Sequence, residues 1–136
     1  MINFNYETSF SLVSETQISN WILEVIRLEG YSIEEINYVF CDDAYLHKLN
    51  VEFLNHDTLT DIISFDYSVG KIIQGDIFIS VERVRENAEE FEVLFDEELN
   101  RVLVHGVLHY CGYKDKTDME ARQMREKENH YLKQLS

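Results

Sequence analysis

Asp61-Ile62-Ile63-Ser64-Phe65-Asp66-Tyr67 and Ile72-Ile73-Gln74-Gly75-Asp76-Ile77-Phe78-Ile79 are two apolar runs rich in isoleucine and aromatics, joined by a short connection containing Gly70. Runs of that composition with so little chain between them read as an antiparallel hairpin. Upstream, Ile2, Phe4 and Tyr6 alternate with Asn3, Asn5 and Glu7, the pattern of a short half-buried strand. Ser14 and Gln17 form a capping box for a helix that presents Ile18, Trp21, Ile22, Val25 and Ile26 on one face and stops at Gly30. Residues 36–41 read as the next strand. A strand–helix–strand order of this length favours parallel pairing through a right-handed crossover. With the hairpin added, the prediction is an α+β fold: a mixed sheet of about four strands covered by helices.

The flanking helices follow from caps and stripes. Asp42 or Asp43 caps a helix with Leu46, Leu49 and Phe53 as its apolar stripe. Ser80 opens another with Val81, Val84, Ala88 and Phe91 inward, and Asp96 a third that packs through Leu99, Val102, Leu103 and Gly106. Thr117 and Glu120 make a capping box for the last helix, whose stripe is Ala121, Met124, Tyr131 and Leu135. The 136 residues include no proline, repeat or linker-like stretch, so residues 1–136 are expected to form one domain.

Composition narrows the setting. Cys41 and Cys111 suit a reduced compartment better than a disulfide framework. The N-terminus lacks the basic and apolar regions of a signal peptide, and no apolar run approaches the ~18 residues of a membrane span. A cytoplasmic protein is expected. With 26 acidic and 12 basic residues the net charge is −14, which disfavours broad phosphate-backbone binding. Half of the basic residues (Lys114, Lys116, Arg122, Arg125, Lys127 and Lys133) lie beyond Cys111. That segment reads either as a solvated helix laced with ion pairs or as the face least repulsive to an anionic substrate.

The chemistry concentrates in Val104-His105-Gly106-Val107-Leu108-His109-Tyr110-Cys111-Gly112-Tyr113-Lys114-Asp115. Residues four apart on a helix share a face, so His105 and His109 can chelate one divalent ion, as in zincin-like hydrolases. Gly112 suits a helix terminator, after which the chain can return Asp115 to the ion. Three protein ligands and one open position describe a catalytic type of zinc site. A peptidase of that kind needs a glutamate after its first histidine, and Gly106 stands there.

These residues resemble the YbeY family, metal-dependent endoribonucleases of bacterial ribosome maturation. The family signature H-G-x-L-H-x-x-G-Y-D-H is similar to His105-Gly106-Val107-Leu108-His109-Tyr110-Cys111-Gly112-Tyr113-Lys114-Asp115. T-D-V-L-S-F is similar to Thr60-Asp61-Ile62-Ile63-Ser64-Phe65, and G-D-I to Gly75-Asp76-Ile77. The resemblance covers roughly residues 40–130. It implies a zinc-bound hydrolase specific for single-stranded RNA, acting on the small ribosomal subunit in rRNA 3′-end maturation and ribosome quality control. Two departures stand out. Asp115 occupies the place of a third histidine, which adds charge and favours harder metals such as manganese. Leu54 occupies the place of an arginine implied to steady the phosphate, with His56 nearby as a partial substitute.

The expected ligands are therefore His105, His109 and Asp115. No side chain stands out as general base; the nucleophile is expected to be water on the ion, with Asp61, Ser64 and His56 as the side-chain candidates. Asp61 either orders that water or anchors a strand end. Asp76 either satisfies backbone donors or lines the cleft, and Glu98 either supports an imidazole or answers the helix dipole. Cys111 reads as core, Tyr113 as packing for the turn, His47 and His130 as surface. The alternatives to a nuclease are a non-catalytic ribosome-assembly factor with a structural metal and a small metallopeptidase.

Overall fold

The computed structural model describes residues 1–135. Strand β1 (Ile2–Tyr6) leads through α1 (Glu15–Leu28) to β2 (Ser32–Cys41), and α2 (Asp43–Leu54) follows. The hairpin β3 (Ile62–Asp66) and β4 (Ile72–Ser80) precedes α3 (Val81–Glu90), α4 (Phe95–Tyr110) and α5 (Asp118–Leu135). The sheet order is β1-β2-β4-β3, with β1, β2 and β4 parallel and β3 antiparallel at the edge. The fold is thus the expected α+β arrangement with a mixed sheet. β2 begins earlier than the predicted residue 36, because Ser32 and Ile33 already pair with Ile72 and Ile73 of β4.

The two sheet faces are unequally covered. Ile36, Tyr38 and Phe40 of β2 and Ile73, Ile77 and Ile79 of β4 meet α1, α3, α4 and α5 in the main core. On the other face a smaller cluster of Cys41, Leu46 and Ile63 lies under α2, with Phe65 and Phe78. Asp76 and Asn37 share that second face: Asn37 Nδ2 donates to Asp76 Oδ1 at 3.0 Å, and Asn3 Nδ2 donates to Asn37 Oδ1 at 2.9 Å. The carboxylate of Asp76 therefore belongs to a polar ladder across the strands, on the side away from α4.

Caps behave mostly as expected. Asp42 accepts from Tyr45 N at 2.8 Å, Ser80 accepts from Arg83 N at 3.2 Å, and Thr117 and Glu120 exchange bonds of 3.1 Å each. Several expectations fail. Phe53 of the α2 stripe is 58% exposed, and Ala121 of the α5 stripe is exposed. Ser14 makes no side-chain cap bond; Gln17 instead donates to Leu135 O at 3.3 Å, and Trp21 Nε1 donates to Tyr131 O at 2.9 Å, so this stretch of α1 clamps α5. The residue before α4 is Leu94, which offers no side-chain acceptor, and Asp96 lies inside the first turn. Phe91, expected inward, is 54% exposed. Its helix has already ended at Glu90, and Glu92 at φ 57 turns the chain away.

Candidate metal centre

α4 carries the site because most of its surface is locked into the core. Leu99, Leu103, Val107 and Leu108 are buried against the sheet and neighbouring helices, leaving His105 and His109 on the half-open face. Gly106 is the point of closest approach to the sheet. A Cβ there would lie 3.0 Å from Ile62 Cδ1 and 3.1 Å from Ile77 Cδ1. A glutamate at 106 would thus drive into the core, so the position cannot present a base to the imidazoles. Gly75 makes the matching allowance on β4. A Cβ there would lie 2.5 Å from Phe65 O and 2.7 Å from Tyr110 Cζ, whose hydroxyl bonds Phe65 O at 3.0 Å and Asp76 O at 3.2 Å.

The helix ends in a paired hydrogen-bond motif. Tyr113 N donates to Leu108 O at 3.1 Å and Gly112 N to His109 O at 3.0 Å, with Gly112 at φ +96. This reversal turns Asp115 back over the histidines. Tyr113 anchors it, donating from its hydroxyl to Glu29 Oε1 at 2.7 Å; Tyr131 and Lys127 bond the other oxygen. Burial works to raise the Glu29 carboxyl, but hydrogen bonds from Tyr131, Tyr113 and Lys127 hold it below its ordinary value.

Three ligand-type atoms converge. His105 Nε2 and His109 Nε2 are 3.0 Å apart, and Asp115 Oδ2 lies 3.3 and 3.4 Å from them. The other ring nitrogens fix the tautomers. His105 Nδ1 is 2.7 Å from Glu128 Oε2 and His109 Nδ1 is 3.0 Å from the Tyr113 carbonyl. A carbonyl and an ionised carboxylate only accept, so both Nδ1 atoms donate and both Nε2 lone pairs face each other and a carboxylate oxygen. Such a set is repulsive without a cation between its members. A tetrahedral zinc with bonds of about 2.0–2.1 Å has ligand–ligand edges of about 3.3 Å, close to the triangle observed. The donor set therefore fits a divalent metal.

Glu128 is the residue beside the candidate site that the sequence reading missed. Its side chain is 5% exposed and also accepts from Arg101 Nη1 at 2.9 Å. Burial pushes its carboxyl up, yet hydrogen bonds from His105 and Arg101 bring it below the ordinary value. Burial pulls His105 down, but Glu128, Asp115 and Asp61 together raise it, the same field that favours a metal cation. Glu98, weighed as the partner of an imidazole, is buried in the neighbouring cleft without bonding either histidine, and burial raises its carboxyl.

The cleft has a volume of about 390 Å³ and includes Asp61, Glu98, Arg101, His105, Asp115 and Glu128 in its lining. Of the three candidate catalytic side chains, Asp61 alone lines it. Burial raises the Asp61 carboxyl, against the attraction of His105. Ser64 is half-buried in β3 outside the lining, and His56 is exposed in the loop after α2. Leu54, at the end of α2, is 43% exposed. Cys111 is buried outside the triangle, with its thiol pushed up to about 12 by burial and by Glu29. His47 pairs with Asp57 at 2.7 Å, and His130 is exposed, 3.4 Å from Gln134.

A mixed sheet covered by helices, with a helix-borne histidine pair and a third donor just past the helix end, defines an α+β fold with a candidate divalent-metal site. The family described as Endoribonuclease YbeY matches residues 3–136. The chain belongs to this family. It is 66% identical over 129 residues to Endoribonuclease YbeY of Flavobacterium johnsoniae, covering 95% of this chain and 93% of that one. It is 61% identical to the protein of the same description from Flavobacterium psychrophilum, over 98% and 95% of the two chains. A solution structure of a Thermotoga maritima protein superimposes with a TM-score of 0.74 at 28% identity, over 99% of this chain and 89% of that one. Among the described residues, no helix is long and apolar enough to cross a membrane.

Proposed function

We infer that this chain is an endoribonuclease that hydrolyses single-stranded RNA with one divalent metal, zinc, held by His105, His109 and Asp115. The carrying observation is the triangle of His105 Nε2, His109 Nε2 and Asp115 Oδ2, with edges of 3.0 to 3.4 Å and both imidazole tautomers set from behind. When bound, the ion would polarise the scissile phosphate and acidify water. Glu128 and the Tyr113 carbonyl keep the two Nε2 lone pairs aimed inward. The Gly112 turn holds Asp115 over them. Asp61 lines the same cleft with its carboxyl on the backbone amides of residues 61 and 62, and is the side-chain candidate for ordering that water.

The proposed substrate is small-subunit ribosomal RNA, cut in 3′-end maturation and ribosome quality control, in the cytoplasm and by a single domain. Zinc content by mass spectrometry, for the parent and for Asp115→Ala, is expected to fall from near one ion per chain to a small fraction. His109→Ala is expected to stay folded and to lose cleavage of single-stranded RNA. Undiminished cleavage by that variant would refute the assignment. Zinc and ribosome binding in a parent that never cuts RNA would favour the assembly-factor reading instead.

A further inference from the structure

We propose that the cleft beside the histidines seats one nucleotide of the RNA, its base stacked on Phe91 and a phosphate held by Arg125. The proposal rests on the RNA-hydrolase reading of the site. Phe91 lines the cleft, yet is 54% exposed and stands outside the core cluster. An open aromatic face in a cleft is the sequence-tolerant platform that single-stranded nucleic acids use. Asn87, one turn earlier on α3, lines the same wall with an amide able to bond a base edge.

The lining residues of α4 and α5 supply the positive charge. Arg101 and Arg125 are the cations among the described residues lining the cleft. Arg101 is 16% exposed and committed to Glu128 at 2.9 Å. Arg125 is 58% exposed, and its Nε lies 3.8 Å from Glu128, too far for a hydrogen bond. Its guanidinium can therefore turn to a phosphate without breaking a hydrogen bond to the buried Glu128, which keeps Arg101 as its partner. This matters in a chain of net charge −14, and more so because position 54 is leucine. The volume of about 390 Å³ lies within the range of small-ligand sites.

Base and phosphate contacts can be separated with two ligands: a labelled oligouridylate and its fully abasic ribose-phosphate counterpart. Binding to the full chain is followed by fluorescence anisotropy over a range of salt, with oligomer integrity checked by gel. Phe91→Ala is expected to weaken oligouridylate binding by about 5- to 150-fold and leave the abasic chain almost unchanged. Phe91→Trp is expected to bind oligouridylate at least as well as the parent. Arg125→Ala should weaken both ligands and reduce the slope of log affinity against log salt by about 0.7. Equal weakening of both ligands by Phe91→Ala, or an unchanged salt slope for Arg125→Ala, would overturn the proposal. A parent with the crossed pattern that leaves RNA uncut refutes the hydrolase reading and leaves the seat standing. A parent that cuts RNA without the crossed pattern refutes the seat alone.

Discussion

Glu128→Gln tests the design of the centre from behind. In the parent, one carboxylate oxygen accepts from His105 Nδ1 at 2.7 Å and the other from Arg101 Nη1 at 2.9 Å. Glutamine keeps the shape but converts one acceptor into a donor. If its oxygen faces His105, its amide hydrogens confront the Arg101 guanidinium. If the amide flips, it faces Nδ1 and favours the tautomer that places a proton on Nε2, where the metal would bind. Either arrangement costs ligation. Removing a carboxylate behind a ligating histidine weakens metal affinity by about 10- to 100-fold, or about 1.4–2.7 kcal/mol. The assay is competition for zinc against a chromogenic chelator, with circular dichroism to check the fold. Glu98→Gln, which alters a buried carboxyl in the same cleft that bonds neither imidazole, is the control and should leave affinity unchanged. Parent-like zinc affinity in a folded Glu128→Gln variant would refute the argument that this carboxylate sets the His105 tautomer.

Three other outcomes follow from the geometry. Gly75→Ala pushes a methyl group into Phe65 O and the Tyr110 ring, and is expected to cost about 1–3 kcal/mol in denaturant unfolding; parent stability would refute the close-approach account. Gly106→Glu restores a peptidase-like motif in sequence only. It should destabilise the fold by about 3 kcal/mol or more and produce no protease activity, since the side chain would enter the core beside Ile62 and Ile77. Glu29 has its folded-state pKa held below the ordinary value of 4.5, so its stabilisation is complete above that value and fades as pH falls through the lowered one. Glu29→Gln should therefore melt below the parent at neutral pH and approach it in acid. A melting difference that stays constant from pH 7 to pH 3 would contradict this.

Much of the candidate site was legible because its parts are close in sequence. His105 and His109 share a helix face by periodicity alone, and Gly112 marks the turn that makes Asp115 reachable. Glu128 was harder to see because it comes from another helix. Its signal was present: it falls between Met124 and Tyr131 on the buried stripe of α5, where an unpaired carboxylate would be costly. A charged residue on an apolar stripe asks for a partner, and Arg101 and His105, four apart on α4, supply two. Phe91 failed as an inward residue because periodicity does not say where a helix stops. Ser14 and Gln17 matched a capping motif, but Gln17 had a tertiary use against α5 that no local pattern encodes. The polar ladder of Asn3, Asn37 and Asp76 was likewise invisible before the strand register was known.

The dependence of His105 on Glu128 has a temporal side. Translation delivers α4 before α5, so a nascent chain already carries both histidines while the carboxylate behind one of them is still unmade. Only when α5 docks, with Trp21 gripping the Tyr131 carbonyl, does Glu128 reach His105. The carboxylate that orients His105 thus arrives with the last helix, so the candidate site takes its final shape only when α5 packs against α4.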